Sequence, residues 1–273
     1  MWIDELWVYP VKSCAGVQLE RAQITPSGLR DDRRWLVIDA ETGRFASQRA
    51  HPRMALLRPE PHDDGWLLRA PDGRALALTP GDPAQPRRVE VWDDRGEALD
   101  LGDEAARWIS AYLGAPHRVV ELGAWRAMDR AGFVGHPLSA VDSCPVLVVT
   151  RASLSRLSAV MGAEVEALRF RPNVVLGGDL DPFAEYAWTA LEPQDSPTWR
   201  AVKPCSRCLI IDIDPSRGQR AERVLPLGAL IHLPRPGDKL YFGLYVAPQG
   251  SGALKVGQRV TSEGRSLDDL KEV

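Results

Sequence analysis

Cysteine is scarce in this chain of 273 residues, and long apolar runs are absent. Four cysteines do not make a disulfide framework in a protein of this length. A membrane-spanning helix needs about 20 consecutive apolar residues, whereas runs such as 145–149 and 209–211 are far shorter. The N-terminal residues Met1 to Glu5 lack the basic segment and apolar core of a secretory signal. We therefore expect a cytoplasmic protein that does not cross a membrane.

An excess of basic charge is also missing. The formal net charge is -3, and no basic tract carries interleaved aromatic residues, which argues against nucleic acid and an acidic membrane surface as partners. The sequence has no H-E-x-x-H metal motif, no G-x-x-x-x-G-K-[ST] phosphate loop and no G-x-S-x-G elbow. The five histidines are scattered, so each one is interpreted as a surface or structural residue.

Short apolar runs separated by turn residues dominate the chain, and they predict mainly β structure with a few helices. Asp72-Gly73 lies between two such runs, as does Asp64-Gly65, and this dipeptide is a strong hairpin signal. Many short strands with few helices are typical of a β-barrel or a sandwich. The predicted strands cover residues 35–38, 54–57, 66–69, 75–78, 89–92, 145–149, 173–176, 199–202, 208–213, 239–246 and 253–260.

Two amphipathic helices are expected to cover these strands. Asp103 can cap the first helix, in which apolar residues recur at helical spacing until Gly114. Thr150 can cap the second helix, and Gly162 follows its last apolar residue.

Two stretches without periodicity separate the predicted elements. Residues 122–143 carry Gly, Pro, Arg and His and are interpreted as a loop over a site or as a junction. Residues 179–197 are rich in acids, proline and tryptophan and are interpreted as a surface loop. Since the hairpin-rich part precedes the first of these stretches, we predict a domain boundary near residue 120.

The segment Lys203-Pro204-Cys205-Ser206-Arg207-Cys208 places two sulfur ligands beside two cations. Thiolate, not thiol, binds metals, and nearby Lys and Arg favour the thiolate. A C-x-x-C pair serves zinc sites, redox pairs and other metals alike. A closed zinc site needs four ligands, so Cys14 and Cys144 would have to converge on the pair. A thioredoxin-like site would place a helix after the pair, where residues 209–211 instead predict a buried strand.

Small polar and cationic residues cluster at the ends of other predicted strands. Side chains at strand ends can converge on one mouth of a barrel, where Lys, Ser and Arg suit a phosphate. An asparagine such as Asn173 offers a donor and an acceptor, which suits the edge of a heterocycle. For Arg30, Arg34 and Gln48 the alternative interpretation is a solvated surface group. The clusters are residues 9–14, 29–35, 47–49 and 170–173.

Together these segments resemble the MOSC superfamily, in particular the mitochondrial amidoxime-reducing component and its bacterial relatives. The resemblance covers nearly the whole chain, from Leu6 to about Val260, with the motifs in the same order. It implies an N-terminal β-barrel-like MOSC_N region over residues 1–120 and a MOSC β-barrel domain over residues 121–265. It also implies a molybdenum cofactor of the molybdopterin type. The matching segments are residues 9–14, 32–35, 170–173, 205–208, 214–215, 242–245 and 255–257.

The resemblance also implies roles for individual residues. Cys208 matches the family's molybdenum ligand and would be the catalytic residue, whereas Cys205 receives no ligand role. Cys14 is interpreted as a small buried apolar residue. Ser143 and Cys144 fall where the animal proteins carry a Thr-Ser pair. The implied cofactor-binding residues are Lys12, Ser13, Arg33, Arg49, Ser143, Arg171, Asn173, Ser206, Arg207 and Tyr245.

The implied reaction is the reductive removal of oxygen from small N-hydroxylated compounds, such as amidoximes and hydroxylamines. A soft thiolate suits such a metal, and the cofactor carries the redox chemistry while the protein positions it. No further cysteine cluster follows Val260, so electrons are expected from a separate flavin, iron–sulfur or haem protein.

Two alternatives remain open. MOSC domains are also attached to enzymes that sulfurate the molybdenum cofactor, so the chain could be a non-catalytic carrier that binds the cofactor and hands it on. The second alternative is an interaction module in which Cys205 and Cys208 bind zinc.

Overall fold

The computed structural model describes residues 1–63, 65–123, 125–222 and 225–264. Strands dominate these residues, so the prediction of a mainly β chain with a few helices is confirmed. In chain order the strands are β1 Trp2–Val8, β2 Val17–Leu19, β3 Arg21–Thr25, β4 Gly28–Leu29, β5 Trp35–Asp39, β6 Arg58–His62, β7 Gly65–Arg69, β8 Ala75–Leu78, β9 Asp82–Val91, β10 Asp94–Asp100, β11 His117–Glu121, β12 Arg126–Ala127, β13 Pro137–Leu138, β14 Val146–Thr150, β15 Val174–Gly177, β16 Trp188–Pro193, β17 Trp199–Ser206, β18 Ile213–Asp214, β19 Gln219–Arg220, β20 Tyr241–Pro248, β21 Gly252–Lys255 and β22 Val260–Gly264.

The helices begin and end close to where the sequence predicts. Gly114 ends the first in a left-handed conformation, with φ of 78°, and Thr150 caps the second by accepting a hydrogen bond from the backbone N–H of Ser153. No helix in the described part of the chain is long and apolar enough to span a bilayer. The α-helices are α1 Asp103–Leu113, α2 Arg151–Met161 and the short α3 Pro226–Ala229. The 3-10 turns are Pro52–Leu56, Ala167–Phe170, Ala184–Ala187, Leu209–Asp212 and Leu230–His232.

The largest sheet has eight strands in the order β2-β1-β15-β14-β20-β17-β16-β22. Strands β14 and β15 are parallel, and helix α2 makes the crossover that a parallel pair requires. The sheet therefore combines the first strands of the chain with strands from its second half. Its core-facing side chains include Leu6, Val148, Val174, Trp199 and Val246, all fully buried.

A second group of strands forms a four-stranded sheet, β5-β11-β10-β9, and a three-stranded sheet, β6-β7-β8. Helix α1 lies against β11 and buries Ile109 in the same core as Trp35 and Leu68. Strands β9 and β10 form a long hairpin in which residues 82–88 of β9 are exposed. The boundary near residue 120, and with it the division into residues 1–120 and 121–265, stays a prediction.

Two predicted strands are wrong. Residues 54–56 lie in the 3-10 turn Pro52–Leu56, because proline is pre-organised for a helical turn and cannot donate to a strand ladder. Residues 209–212 form another 3-10 turn, closed by the N–H of Ile211 on the carbonyl of Cys208. Leu209 is 49% exposed, so the apolar character of this run does not indicate a buried strand.

One further expectation is wrong and two are refined. Residues 253–260 form two strands, since Gly257 turns the chain with φ of 80°. Residues 179–197 are not a surface loop: they contain β16, and Glu185 is fully buried. Residues 122–143 are irregular apart from the short strands β12 and β13, with residue 124 outside the described residues. The Asp72-Gly73 hairpin is confirmed, whereas Asp64 lies outside the described residues.

Candidate functional site

A cleft forms where the ends of strands from the large sheet meet the loops after β1 and β4 and the β9–β10 hairpin. It is a concave space that is partly open to solvent and is lined by both polar and apolar side chains, as small-molecule and cofactor sites are. Ser143 does not line the cleft, although its neighbours Asp142 and Cys144 do. The predicted site residues that the fold brings together in its lining are Lys12, Ser13, Arg33, Arg49, Arg171, Asn173, Ser206, Arg207, Cys208 and Tyr245.

Two guanidinium groups lie close to one buried aromatic ring. The central carbon of Arg33 lies 4.3 Å from the ring centroid of Tyr9, and that of Arg171 lies 4.2 Å from it. Desolvation, and then the charge of Arg33, lower the pKa of Arg171 to about 10. Arg171 Nη1 donates to the Cys14 carbonyl at 2.6 Å, but its buried Nη2 has no hydrogen-bond partner among the described residues. The like charges and the unpaired donor make this end of the cleft suited to an anion.

The pair Asp32–Arg33 fixes this arrangement. The buried Asp32 accepts the backbone N–H of Tyr9 at 2.9 Å and pairs with the Arg33 guanidinium. Ser13, Arg33 and Arg171 all adopt left-handed backbone conformations, with φ of 66°, 51° and 54°. Such conformations are costly for residues other than glycine and concentrate at functional sites. The fold therefore holds these three side chains in place at a cost to local stability.

Lys12 anchors a second network across the cleft. Its Nζ donates to the Ala140 carbonyl at 2.7 Å and to Asp142 Oδ1 at 2.6 Å. Desolvation would raise the pKa of Asp142, but the charge and hydrogen bond of Lys12 outweigh it and hold that pKa well below its usual range. Trp92 Nε1 donates to the same carboxylate oxygen at 3.1 Å. The cleft thus carries one ionised acid, with its side chain half exposed, among several cations.

Sequence reasoning missed Asp142, Trp92 and Phe45 as lining residues. The available signal for Asp142 was its position beside the implied contact Ser143, whereas Trp92 and Phe45 reach the cleft through tertiary packing. The interpretation of Gln48 as a solvated group is wrong, because Gln48 is buried and donates to the Ser13 carbonyl at 2.8 Å.

Cys208 differs from the other cysteines because its residue is exposed, whereas Cys14, Cys144 and Cys205 are buried. Burial raises the pKa of the Cys14 and Cys144 thiols to about 12 and also raises the pKa of Cys205. These three therefore stay protonated at neutral pH, which agrees with the prediction that Cys14 is a buried apolar residue. Cys208 presents the accessible thiol of the cleft.

Arg207 and Asn173 form their side-chain hydrogen bonds with backbone groups around the cleft. Arg207 donates to the Phe242 carbonyl at 2.9 and 2.7 Å and to the Phe170 carbonyl at 3.1 Å. Asn173 accepts from the N–H of Leu147 at 3.2 Å and donates to the Trp7 carbonyl at 3.3 Å. Asn173 therefore joins β1 and β14, whereas Arg207 ties the residue before Cys208 to β20 and to the 3-10 turn that ends at Phe170.

The arrangement of potential metal ligands around Cys205 and Cys208 does not favour a zinc site. Among residues 1–63, 65–123, 125–222 and 225–264, no group of three or more His, Cys, Asp or Glu residues is arranged to hold a metal ion. Structural zinc sites need four closed ligands. The C-x-x-C pair therefore lacks the further ligands that the zinc alternative requires in the described part of the chain.

Comparison with known protein families matches two domain models in this order. The MOSC N-terminal beta barrel domain matches residues 1–116, and the MOSC domain matches residues 135–261. Both matches agree with the mainly β fold of the chain.

Three curated proteins illustrate the similarity. The chain is 33% identical to human mitochondrial amidoxime reducing component 2 and 31% identical to human mitochondrial amidoxime-reducing component 1, covering 94% of this chain and 82% of each relative. It is 29% identical to molybdenum cofactor sulfurase of Danio rerio over 91% of this chain, which corresponds to 32% of that protein. The chain belongs to the family of MOSC-domain proteins that includes the mitochondrial amidoxime-reducing components.

Proposed function

We propose that this protein is a molybdenum-cofactor oxidoreductase that reductively removes oxygen from small N-hydroxylated compounds. The observation that carries the proposal is a cation-lined cleft that holds one accessible thiol, Cys208, and a buried guanidinium nitrogen of Arg171 to which no described residue forms a hydrogen bond. The name of two relatives, amidoxime reducing component, supports this reaction, whereas the name molybdenum cofactor sulfurase supports only the association with the cofactor.

The donor set of the cleft fits an anionic pterin cofactor. Lys12, Arg33 and Arg171 supply cationic donors, and Ser13 adds a hydroxyl, a combination that suits a phosphate group. The Cys208 thiolate is a soft ligand and would suit the molybdenum of such a cofactor. Tyr245 and Ser206 line the same cleft and complete its polar wall.

The bound cofactor would supply two-electron redox chemistry at the metal. Conversion of an amidoxime to an amidine and water consumes two electrons and two protons. Because the cleft is open to solvent, water can deliver both protons. The ionised, half-exposed Asp142 offers an acceptor for the N–H groups of the substrate or of a cationic amidine product.

The electrons would come from a separate redox protein that carries flavin, iron–sulfur or haem. The exposure of Cys208 and its neighbour Leu209 leaves this side of the cleft accessible to such a donor. A cytoplasmic location is part of the proposal.

A non-catalytic cofactor carrier is the second candidate. The observation that favours it is the similarity to molybdenum cofactor sulfurase, in which the matching region is 32% of the protein. In a carrier the same cationic cleft would hold the cofactor, but no N-hydroxylated compound would be reduced.

The first experiment is to purify the wild type, Cys208→Ser and Cys205→Ser from a host that makes molybdenum cofactor. Molybdenum, zinc and released pterin are then measured for each chain. We expect near-stoichiometric molybdenum and pterin in the wild type and in Cys205→Ser, whereas Cys208→Ser should keep its circular-dichroism spectrum and lose molybdenum. Unchanged molybdenum in Cys208→Ser would refute the ligand assignment, and zinc without pterin would refute the cofactor class.

The second experiment measures reduction of an aryl amidoxime by the loaded wild type, with a reduced viologen dye as electron donor. Formation of the amidine supports the reductase. Bound cofactor without reduction, together with transfer of the cofactor to an apo-enzyme, would replace the reductase with the carrier.

A further inference from the structure

Trp92 occupies a backbone position that disfavours a bulky side chain. It is the first of two loop residues between β9 and β10, whose register pairs Val91 with Asp94. Its φ of 59° lies in the left-handed region, where hairpin loops favour glycine and asparagine. A bulky aromatic residue in that conformation indicates that the side chain has a functional role.

The side chain of Trp92 does not pack in the hydrophobic core. It is 37% exposed, and its ring centroid lies 5.1 Å from that of Phe45, at an interplanar angle of 58°. Phe45 and Trp92 both line the cleft, and we call them the aromatic wall. The hairpin thus carries aromatic surface from the four-stranded sheet into the cleft that also holds Cys208.

Polar groups surround the aromatic wall. The guanidinium carbon of Arg49 lies 4.3 Å from the ring centroid of Trp92, and Lys12 Nζ lies 5.3 Å from that of Phe45. The indole N–H donates to Asp142 at 3.1 Å, so the ring orientation is fixed beside an ionised carboxylate. A flat π system in contact with the wall could therefore direct an N–H group at Asp142.

We propose that the aromatic wall selects the substrate, and that it favours N-hydroxylated compounds whose reacting nitrogen is conjugated to a planar aromatic ring over alkyl compounds of similar size. This inference rests on the proposed reductase function. Ring contact with Trp92 and Phe45 supplies the preference, and Asp142 orients the N–H groups of the same substrate.

The test compares Trp92→Ala, Trp92→Phe and the matched control Trp2→Ala, all loaded with cofactor. Trp2 is 47% exposed and does not line the cleft. Three quantities are measured: molybdenum for each chain, kcat/KM for an aryl and an alkyl amidoxime, and the calorimetric Kd of the corresponding amidines.

We expect Trp92→Ala to weaken aryl amidine binding and to lower kcat/KM for the aryl amidoxime by about tenfold, the size of one aromatic contact. The alkyl values should change much less, molybdenum should stay constant, and Trp92→Phe should retain most of the aryl preference. The Trp2→Ala control should behave as the wild type.

Unchanged aryl-to-alkyl ratios in Trp92→Ala would overturn the inference. Loss of molybdenum in that variant would also overturn it, because Trp92 would then belong to the cofactor-binding surface. If the wild type reduces neither amidoxime, the proposed function fails, and the amidine affinities still decide whether the aromatic wall prefers aryl ligands.

Discussion

Glu185 is a fully buried carboxyl group outside the cleft, and it provides a quantitative test of the structure. It lies in the 3-10 turn before β16, where the hydroxyls of Ser153 and Thr150 contact its oxygens at 2.8 and 3.3 Å. No ion pair to Glu185 forms among the described residues. Burial therefore raises its pKa from 4.5 to about 7, although the hydroxyls partly oppose this change.

The sign of the pH effect follows from proton binding in the two states. Between about pH 4.5 and pH 7 the folded chain keeps the Glu185 proton that the unfolded chain has lost, so the free energy of unfolding falls as pH rises through this window. Below this window both states are protonated and the cost disappears. Above it both states are ionised, and the cost to the folded state reaches about 3 kcal/mol.

The variant Glu185→Gln removes this titration and keeps an acceptor and a donor for the hydroxyls. Urea unfolding of the wild type and the variant at about pH 5 and about pH 8 should show a relative gain for the variant of about 2 to 3 kcal/mol at the higher pH. The control is Glu192→Gln, an exposed position on β16, which should show no such pH-dependent gain. An equal difference between Glu185→Gln and the wild type at both pH values would refute the reasoning.

Two further predictions concern the walls of the cleft. Asp32→Asn leaves Arg33 buried without its carboxylate, so urea unfolding should show a loss of about 3 kcal/mol or more; a loss near zero would contradict this. Arg171→Met removes a cation whose Nη2 has no partner among the described residues, so we expect bound molybdenum and pterin to fall by a larger fraction of the wild-type value than the free energy of unfolding does. Metal analysis beside urea unfolding checks this, and unchanged loading would contradict it.

Much of the secondary structure could be predicted because its signals are local. Gly114 predicts a helix end by its backbone conformation, and Thr150 predicts a helix start by capping. Helix α1 ends before Gly114 and helix α2 begins after Thr150, as predicted. The strand at residues 145–149 is marked by a short run of β-branched residues and lies at the centre of the large sheet. The run at 209–211 has a similar apolar composition, but it forms a 3-10 turn that leaves Leu209 exposed and Ile211 buried.

The residues of the cleft could be predicted only in part from the sequence. Lys12, Arg33, Arg171 and Cys208 lie in segments with recognisable motifs, and the fold brings them together, although their roles toward the cofactor stay predictions. Trp92 and Asp142 are separated by 50 positions in the chain, and they meet only because the β9–β10 hairpin folds against the loop before β14. Burial of Glu185 likewise depends on packing against α2, which local composition does not report.

The position of β20 in the eight-stranded sheet has a consequence for biosynthesis. β20 lies between β14 and β17, so a nascent chain that has not yet reached Tyr241 leaves facing edges of these two strands without their partner. Unpaired, β-branched edges such as that of β14 invite association with other chains. Tyr245 also joins the cleft at this late stage. On the proposed function, cofactor insertion would therefore follow synthesis of β20, and a ribosome stalled before β20 would release an aggregation-prone product.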